Sequence, residues 1–169
     1  MEYRYHDLLH IAENKAIWYK IPITLLYAII EVESNWNIYA CRHEPAFQNK
    51  YITPKNINDE QEEYFRACSW GLGQIMGQVA RERGYVDSIL KLINPYINLE
   101  YVCKQLQVLY VRYDNWTHVI SAYNQGNNRW VDIDKDGLKD EDEKYKNQKY
   151  VAKVNKSRKG YEQDNSMVC

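Results

Sequence analysis

Apolar residues recur along this chain mostly at helical spacing. Ile23, Leu26, Tyr27 and Ile30 stand at i, i+3, i+4 and i+7, which predicts a helix over about 22–34 with Pro22 in its first turn. Before it, Leu8, Ile11, Ala12 and Trp18 fall on or near one face of a helix over 7–19. The longest stripe is Leu99, Val102, Cys103, Leu106, Leu109, Tyr110 and Tyr113, opened by Pro95, and it reads as the central core helix. Shorter helices are predicted over 73–83, closed by Gly84, from Asp87-Ser88 onward, and over 116–123; a basic helix over about 145–158 comes last. Residues 36–67 carry Pro45, Pro54 and several Asn, and read as loop with one helical turn near 60–65. Residues 124–143 read as a second loop. With no alternating strand pair, the chain is predicted to be all-α or nearly so.

Composition narrows the class. The 169 residues suit one domain over the whole chain, and no repeat or Gly/Ser/Pro linker divides it. Lys plus Arg is 22 against 23 Asp plus Glu, so the basic excess of a nucleic-acid binder is missing. The longest uncharged apolar run, Ile21 to Ile30, is about half of what a bilayer crossing needs. Met1 to His6 shows no basic region followed by an apolar run, so no signal peptide is expected. Cys41, Cys68, Cys103 and Cys169 have no zinc spacing. Sixteen tyrosines beside five tryptophans and two phenylalanines suit a wet, sugar-binding groove, although tyrosine also packs cores.

One acid interrupts the second helix. Continuing its apolar stripe by three residues lands on Glu33, whereas Glu31 lies on the solvent side. A carboxylate that extends a buried stripe is desolvated, and its raised pKa suits a general acid near neutral pH. A solvated acid in a frayed last turn fits the same position. The helix alone does not separate the two.

Four short motifs then follow in order. They are Glu33-Ser34-Asn35, Gly71-Leu72-Gly73-Gln74-Ile75-Met76, Ala122-Tyr123-Asn124-Gln125-Gly126 and Tyr150-Val151-Ala152-Lys153-Val154. Over about residues 21–154 this resembles the catalytic domain of the soluble lytic transglycosylases, lysozyme-like enzymes that cleave peptidoglycan. Arg42-His43-Glu44-Pro45 and the long loop before Cys68 are most similar to the phage-associated and related bacterial branch. The resemblance implies a mainly α, single-domain fold of the goose-type lysozyme kind, with an inserted loop over about 43–68. It implies peptidoglycan glycan strands as substrate and action in the cell wall or periplasm. Delivery would be by a phage or secretion apparatus, or by a leader not present in this chain. Glu33 takes the position of the catalytic acid and then base, and the product is a 1,6-anhydro sugar formed without water. Ser34, Gln74, Met76, Tyr123, Asn124 and Tyr150 take substrate-binding positions. The glycines would let backbone approach the sugar. The substrate's acetamido group would replace a second carboxylate. A hydrolase on the same scaffold would need that second acid, with Glu44 the nearest candidate, and an inactive wall-binding or virion module would need no acid at all. The chain is expected to act as a monomer.

Two departures stand beside the resemblance. Arg42 falls where many relatives have a small Ser-containing turn; it would lower the pKa of Glu33 unless it pairs with Glu44 or with a substrate carboxylate. Cys41 and Cys68 flank the insertion, and no disulfide is expected between them in a protein made in a reducing compartment. Independently, 132–143 places Asp132, Asp134, Asp136, Asp140 and Glu143 at positions 1, 3, 5, 9 and 12, with Gly137 at 6. That spacing, with the Leu138 carbonyl, fits an EF-hand-like loop for one structural Ca²⁺.

Overall fold

Helix α2 (Ile23–Ser34) is the spine of the structure, a computed structural model that describes residues 3–127 and 144–166. Leu25, Leu26, Ala28, Ile29 and Ile30 are all fully enclosed, because the helix is apolar on more than the one predicted stripe. Helix α8 (Gln148–Ser166) lies along α2 and closes it with Val151 and Val154. On the other side, α1 (Tyr5–Tyr19) packs on α6 (Pro95–Tyr113), and α7 (Trp116–Gln125) joins α6 to α8. Helices α6 and α7 begin as their residues dictate: the Asn94 side chain accepts from the Tyr96 and Ile97 amides, and Asn115 does the same for Thr117 and His118.

The structure is mainly helical, as expected, and differs from the sequence reading between the helices. A three-stranded antiparallel sheet joins β1 (Cys41–His43), β2 (Cys68–Trp70) and β3 (Ile75–Met76), pairing Arg42 with Ser69 and Ser69 with Met76. No strand exceeds three residues, too short for an alternating pattern to register. Because β3 takes Ile75 and Met76, the next helix, α5, covers only Gly77–Glu82. The helix expected from Asp87-Ser88 is a 3₁₀ segment, Ile89–Ile93, and the last helix begins at Gln148 rather than 145 and runs on to Ser166.

The insertion is also not a loop. Between β1 and β2 the chain forms α3 (Pro45–Phe47), a π turn (Gln48–Ile52), a 3₁₀ turn (Thr53–Lys55) and α4 (Glu60–Arg66), capped by the Asp59 carboxylate. Ile52 is its buried anchor, and Arg66 and Arg81 both bind Glu62, tying α4 to α5. Cys41 and Cys68 sit on adjacent strands at the base of this insertion and are free thiols, as is Cys103.

Much of the aromatic content holds the frame. Trp36 is buried between the edges of Tyr5 and Tyr27 and donates from its indole N–H to Tyr161 Oη at 3.2 Å, fastening the far half of α8 to α2. Abundant tyrosine is here as much a packing device as a groove lining.

Candidate functional site

The end of α2 meets α8 at Glu33. Tyr150 Oη donates to Glu33 Oε1 at 2.6 Å, joining residues 117 positions apart in the chain. Desolvation holds the Glu33 carboxyl above the usual carboxylate range, outweighing the Tyr150 hydrogen bond and the charges of Arg42 and Lys153, which favour the anion. Glu33 also stands in the last turn of α2, where the negative end of the helix dipole opposes a carboxylate. Arg42 is thus near enough to be felt, while its guanidinium is bound to Glu44 at 2.5 Å. Both possibilities for Arg42 hold at once, and burial wins. The hydroxyls of Tyr150 and Tyr123 are held protonated, first by their own burial and then by the nearby Glu33 charge. Tyr150 is therefore a fixed donor. It occupies one carboxyl oxygen and leaves Oε2 to exchange a proton.

The Gly71-Leu72-Gly73 turn is locked to this helix end. Ser34 Oγ donates to the Leu72 carbonyl at 2.7 Å, and Tyr123 Oη donates to the Gly73 carbonyl at 2.7 Å. Gly71 has φ +64°, and a Cβ there would come within 2.5 Å of Asn98 Nδ2; a Cβ on Gly73 would lie 2.4 Å from Val102. Close packing onto α6 thus requires glycine at both positions. Ser34 likewise serves as a brace between α2 and the turn.

Gln74 is held by several protein partners. Its backbone is left-handed at φ +50°, its Nε2 donates to the Ala40 and Gly71 carbonyls at 3.0 Å each, and its Oε1 accepts from Ser69 at 3.0 Å. With the side-chain amide engaged on both sides, Gln74 acts first as the clasp of the turn. Met76 and Asn124 keep accessible surface. Asn124 Oδ1 accepts from Asn147 Nδ2 at 3.0 Å, and Asn147 is itself fixed by Ser121 at 2.9 Å.

These residues border a cavity of about 620 Å³. Gln74, Met76, Tyr123 and Asn124 line it, and so do Glu44 and Phe47 of the insertion. Glu33 does not line this space itself; Tyr123, on which its charge acts, does. The arrangement can hold a polymer segment and hand one proton back and forth at a desolvated carboxyl.

Comparison with known families fits this geometry: residues 10–147 match the family described as Transglycosylase SLT domain. The chain belongs to that family. No curated protein matches it. Membership in the SLT family implies lytic transglycosylase activity on cell-wall peptidoglycan in general, and with it the lysozyme-like fold. Among the described residues no helix of this SLT chain is long and apolar enough to cross a membrane, and no group of three or more His, Cys, Asp or Glu is placed to hold a metal. The calcium-loop residues Asp132, Asp134, Asp136, Leu138, Asp140 and Glu143 lie outside the described residues.

Three residues that matter to this SLT site escaped the sequence reading. Asn98 is completely buried; its Nδ2 donates to the Trp70 and Leu92 carbonyls at 2.7 and 2.9 Å, and its Oδ1 accepts from the Gly73 amide at 3.0 Å. Its signal was present, a polar residue three after Pro95 and four before Val102 on the buried stripe. Lys153, one turn beyond Tyr150, was legible only once Glu33 and Tyr150 were paired. Asn147 carried no signal.

Proposed function

We propose that this protein is a lytic transglycosylase that cleaves the β-1,4 bond between N-acetylmuramic acid and N-acetylglucosamine, with Glu33 as acid and then base. The observation that carries the reading is the Glu33–Tyr150 pair: one desolvated carboxyl, raised toward neutrality, with one oxygen fixed at 2.6 Å by a permanent donor. Protonated Glu33 gives its proton to the leaving glycosidic oxygen. The resulting carboxylate then takes the proton of the same muramic sugar's 6-hydroxyl as that oxygen attacks C1, and the sugar closes as the 1,6-anhydro form. The acetamido group stabilises the cationic centre in place of a second carboxylate. Support for this economy comes from Glu44, the acid named above for a hydrolase, whose carboxylate is paired with Arg42. Met76, Tyr123 and Asn124 would contact the glycan directly, with Ser34 and Gln74 holding the turn beneath it. The test is the new chain end: digests of purified sacculi are expected to contain 1,6-anhydromuramyl fragments, each lighter by one water than a hydrolysed fragment.

The acidic segment 132–143 is proposed to bind one Ca²⁺ through the residues named for it in the sequence. Bound only by the native state, the ion would stabilise it by about 2.7 kcal/mol at a hundredfold excess over Kd. Thermal melts in EGTA and in millimolar Ca²⁺ are expected to separate, and coincident melts with no heat of binding would remove the ion from this reading.

A further inference from the structure

A second cavity of about 620 Å³ lies between α1 and the first turns of α6. Helix α1 lines it with Asp7, His10, Ile11, Asn14, Lys15 and Trp18, whose spacing follows one face of the helix for roughly 16 Å. Helix α6 adds Tyr96 and Glu100. The cavity beside Tyr123 is lined from the same helix by Gln105 and Leu109. Tyr96 and Gln105, like Glu100 and Leu109, stand nine residues apart, about two and a half turns, which sets them on opposite sides of α6. The two cavities therefore face away from each other.

The second cavity is bracketed by rings. Trp18 is 80% exposed and Tyr96 is 54% exposed, a costly use of large side chains unless something covers them. Tyr96 packs edge-on against Tyr3, while Gln107, further along α6, donates to the Tyr19 carbonyl at 2.9 Å. The two helices thus run parallel, with Tyr96 at one end of the cleft and Trp18 at the other. The fixed charges between them are already paired, Asp7 with Arg4 at 3.1 Å and Lys15 with Glu100 at 2.5 Å. Among the described residues Asn14 makes no side-chain hydrogen bond, so its amide offers both a donor and an acceptor.

This chemistry selects the occupant. An anionic polymer would find no unpaired row of cations here. A protein partner prefers a contact centre depleted of charge, whereas the middle of this cleft holds Lys15, Glu100 and Asn14. An uncharged glycan matches it: hydroxyls and acetamides meet the polar side chains, and flat C–H faces of the sugars stack on the two rings. We propose that this cleft is a second, non-catalytic glycan site, which holds an uncharged amino-sugar run of one wall strand while the Glu33 site cuts another. The proposal rests on the peptidoglycan reading above and adds a binding site to it.

Two readouts test it. Titration with the β-1,4-linked hexamer of N-acetylglucosamine should shift the indole N–H resonance of Trp18, assigned by its loss in Trp18→Phe. The Trp18→Ala/Tyr96→Ala protein should lose about tenfold in kcat/KM on sacculi, through KM, because one of two linked binding events is gone. On soluble single strands it should change by less than about twofold. Trp18→Phe keeps a ring and should retain most of the wild-type rate on sacculi, and a melt of each variant checks that it folds. Equal losses on both substrates, no loss on sacculi, or an unmoved Trp18 resonance would overturn the proposal and leave the transglycosylase reading in place. A wild-type dimer in light scattering that the double variant dissolves would also overturn it, giving this face to a second copy of the chain. No wild-type turnover, with the Trp18 resonance still shifting, would remove the transglycosylase reading and leave the glycan site standing.

Discussion

Replacing Glu33 with glutamine is expected to lower kcat by about 10³-fold while leaving the fold intact. The glutamine carbonyl can still accept the Tyr150 hydroxyl that now reaches Glu33 Oε1 at 2.6 Å, so the α2–α8 junction survives. What disappears is the group proposed to give and then take the proton. Stability should move the other way. Burial raises the folded pKa of Glu33 above its unfolded value, so its favourable contribution is present below the ordinary glutamate pKa and lost as pH rises through the folded value. At neutral pH the wild type therefore carries a penalty that glutamine escapes, and the variant should melt at or above the wild-type temperature, with the difference closing toward acid pH. Steady-state turnover and melts across pH check both halves. Unchanged turnover would displace Glu33 from the chemistry, and a Tm that falls sharply would make it structural.

The largest expected loss of stability comes from Asn98→Ala. This side chain makes three hydrogen bonds from a site with no solvent exposure, and alanine would leave the Gly73 amide and the Trp70 and Leu92 carbonyls without it. Each buried polar group so orphaned costs about 1–3 kcal/mol, and partial relaxation brings the sum to about 3–5 kcal/mol. For a chain of this size that lowers Tm by roughly 6–20 °C. Activity measured where the variant is still folded should fall about tenfold or more, because the Gly73 carbonyl holds Tyr123 and Gln74 beside it lines the cavity, where small displacements are expensive. Urea unfolding gives the first number directly. A change under 1 kcal/mol would mean that water or the turn itself replaces the lost partners.

What could be read from the residues alone follows the physics of each element. The α6 stripe and the apolar body of α2 were legible because a buried helix repeats its pattern over several turns. Glu33 stood out because it breaks such a pattern, and its partner Tyr150 was placed by resemblance, since nothing local relates two residues 117 apart. The sheet was missed because Cys41–His43, Cys68–Trp70 and Ile75–Met76 are too short to alternate visibly. The insertion looked like loop because Pro45 and Pro54 sit in the first turns of α3 and the 3₁₀ turn, and Asn56 closes the latter, so these residues bound short segments instead of breaking a long one. For Gln74, residue type suggested sugar hydrogen bonds; the strained backbone at φ +50° and the amide's three protein partners could come only from coordinates. The balance at Glu33 was open for a similar reason. Desolvation and the Arg42 charge oppose each other, and only the Arg42–Glu44 pair and the depth of burial say which is larger.

The central claim is that one desolvated carboxyl, without a partner acid, breaks the glycan by internal attack and not by water. Digestion of sacculi in ¹⁸O-labelled water, followed by mass spectrometry of the released muropeptides, tests it most directly. The account predicts 1,6-anhydromuramyl ends that carry no label. Reducing ends that carry one ¹⁸O atom would contradict it and make the protein a hydrolase on this scaffold.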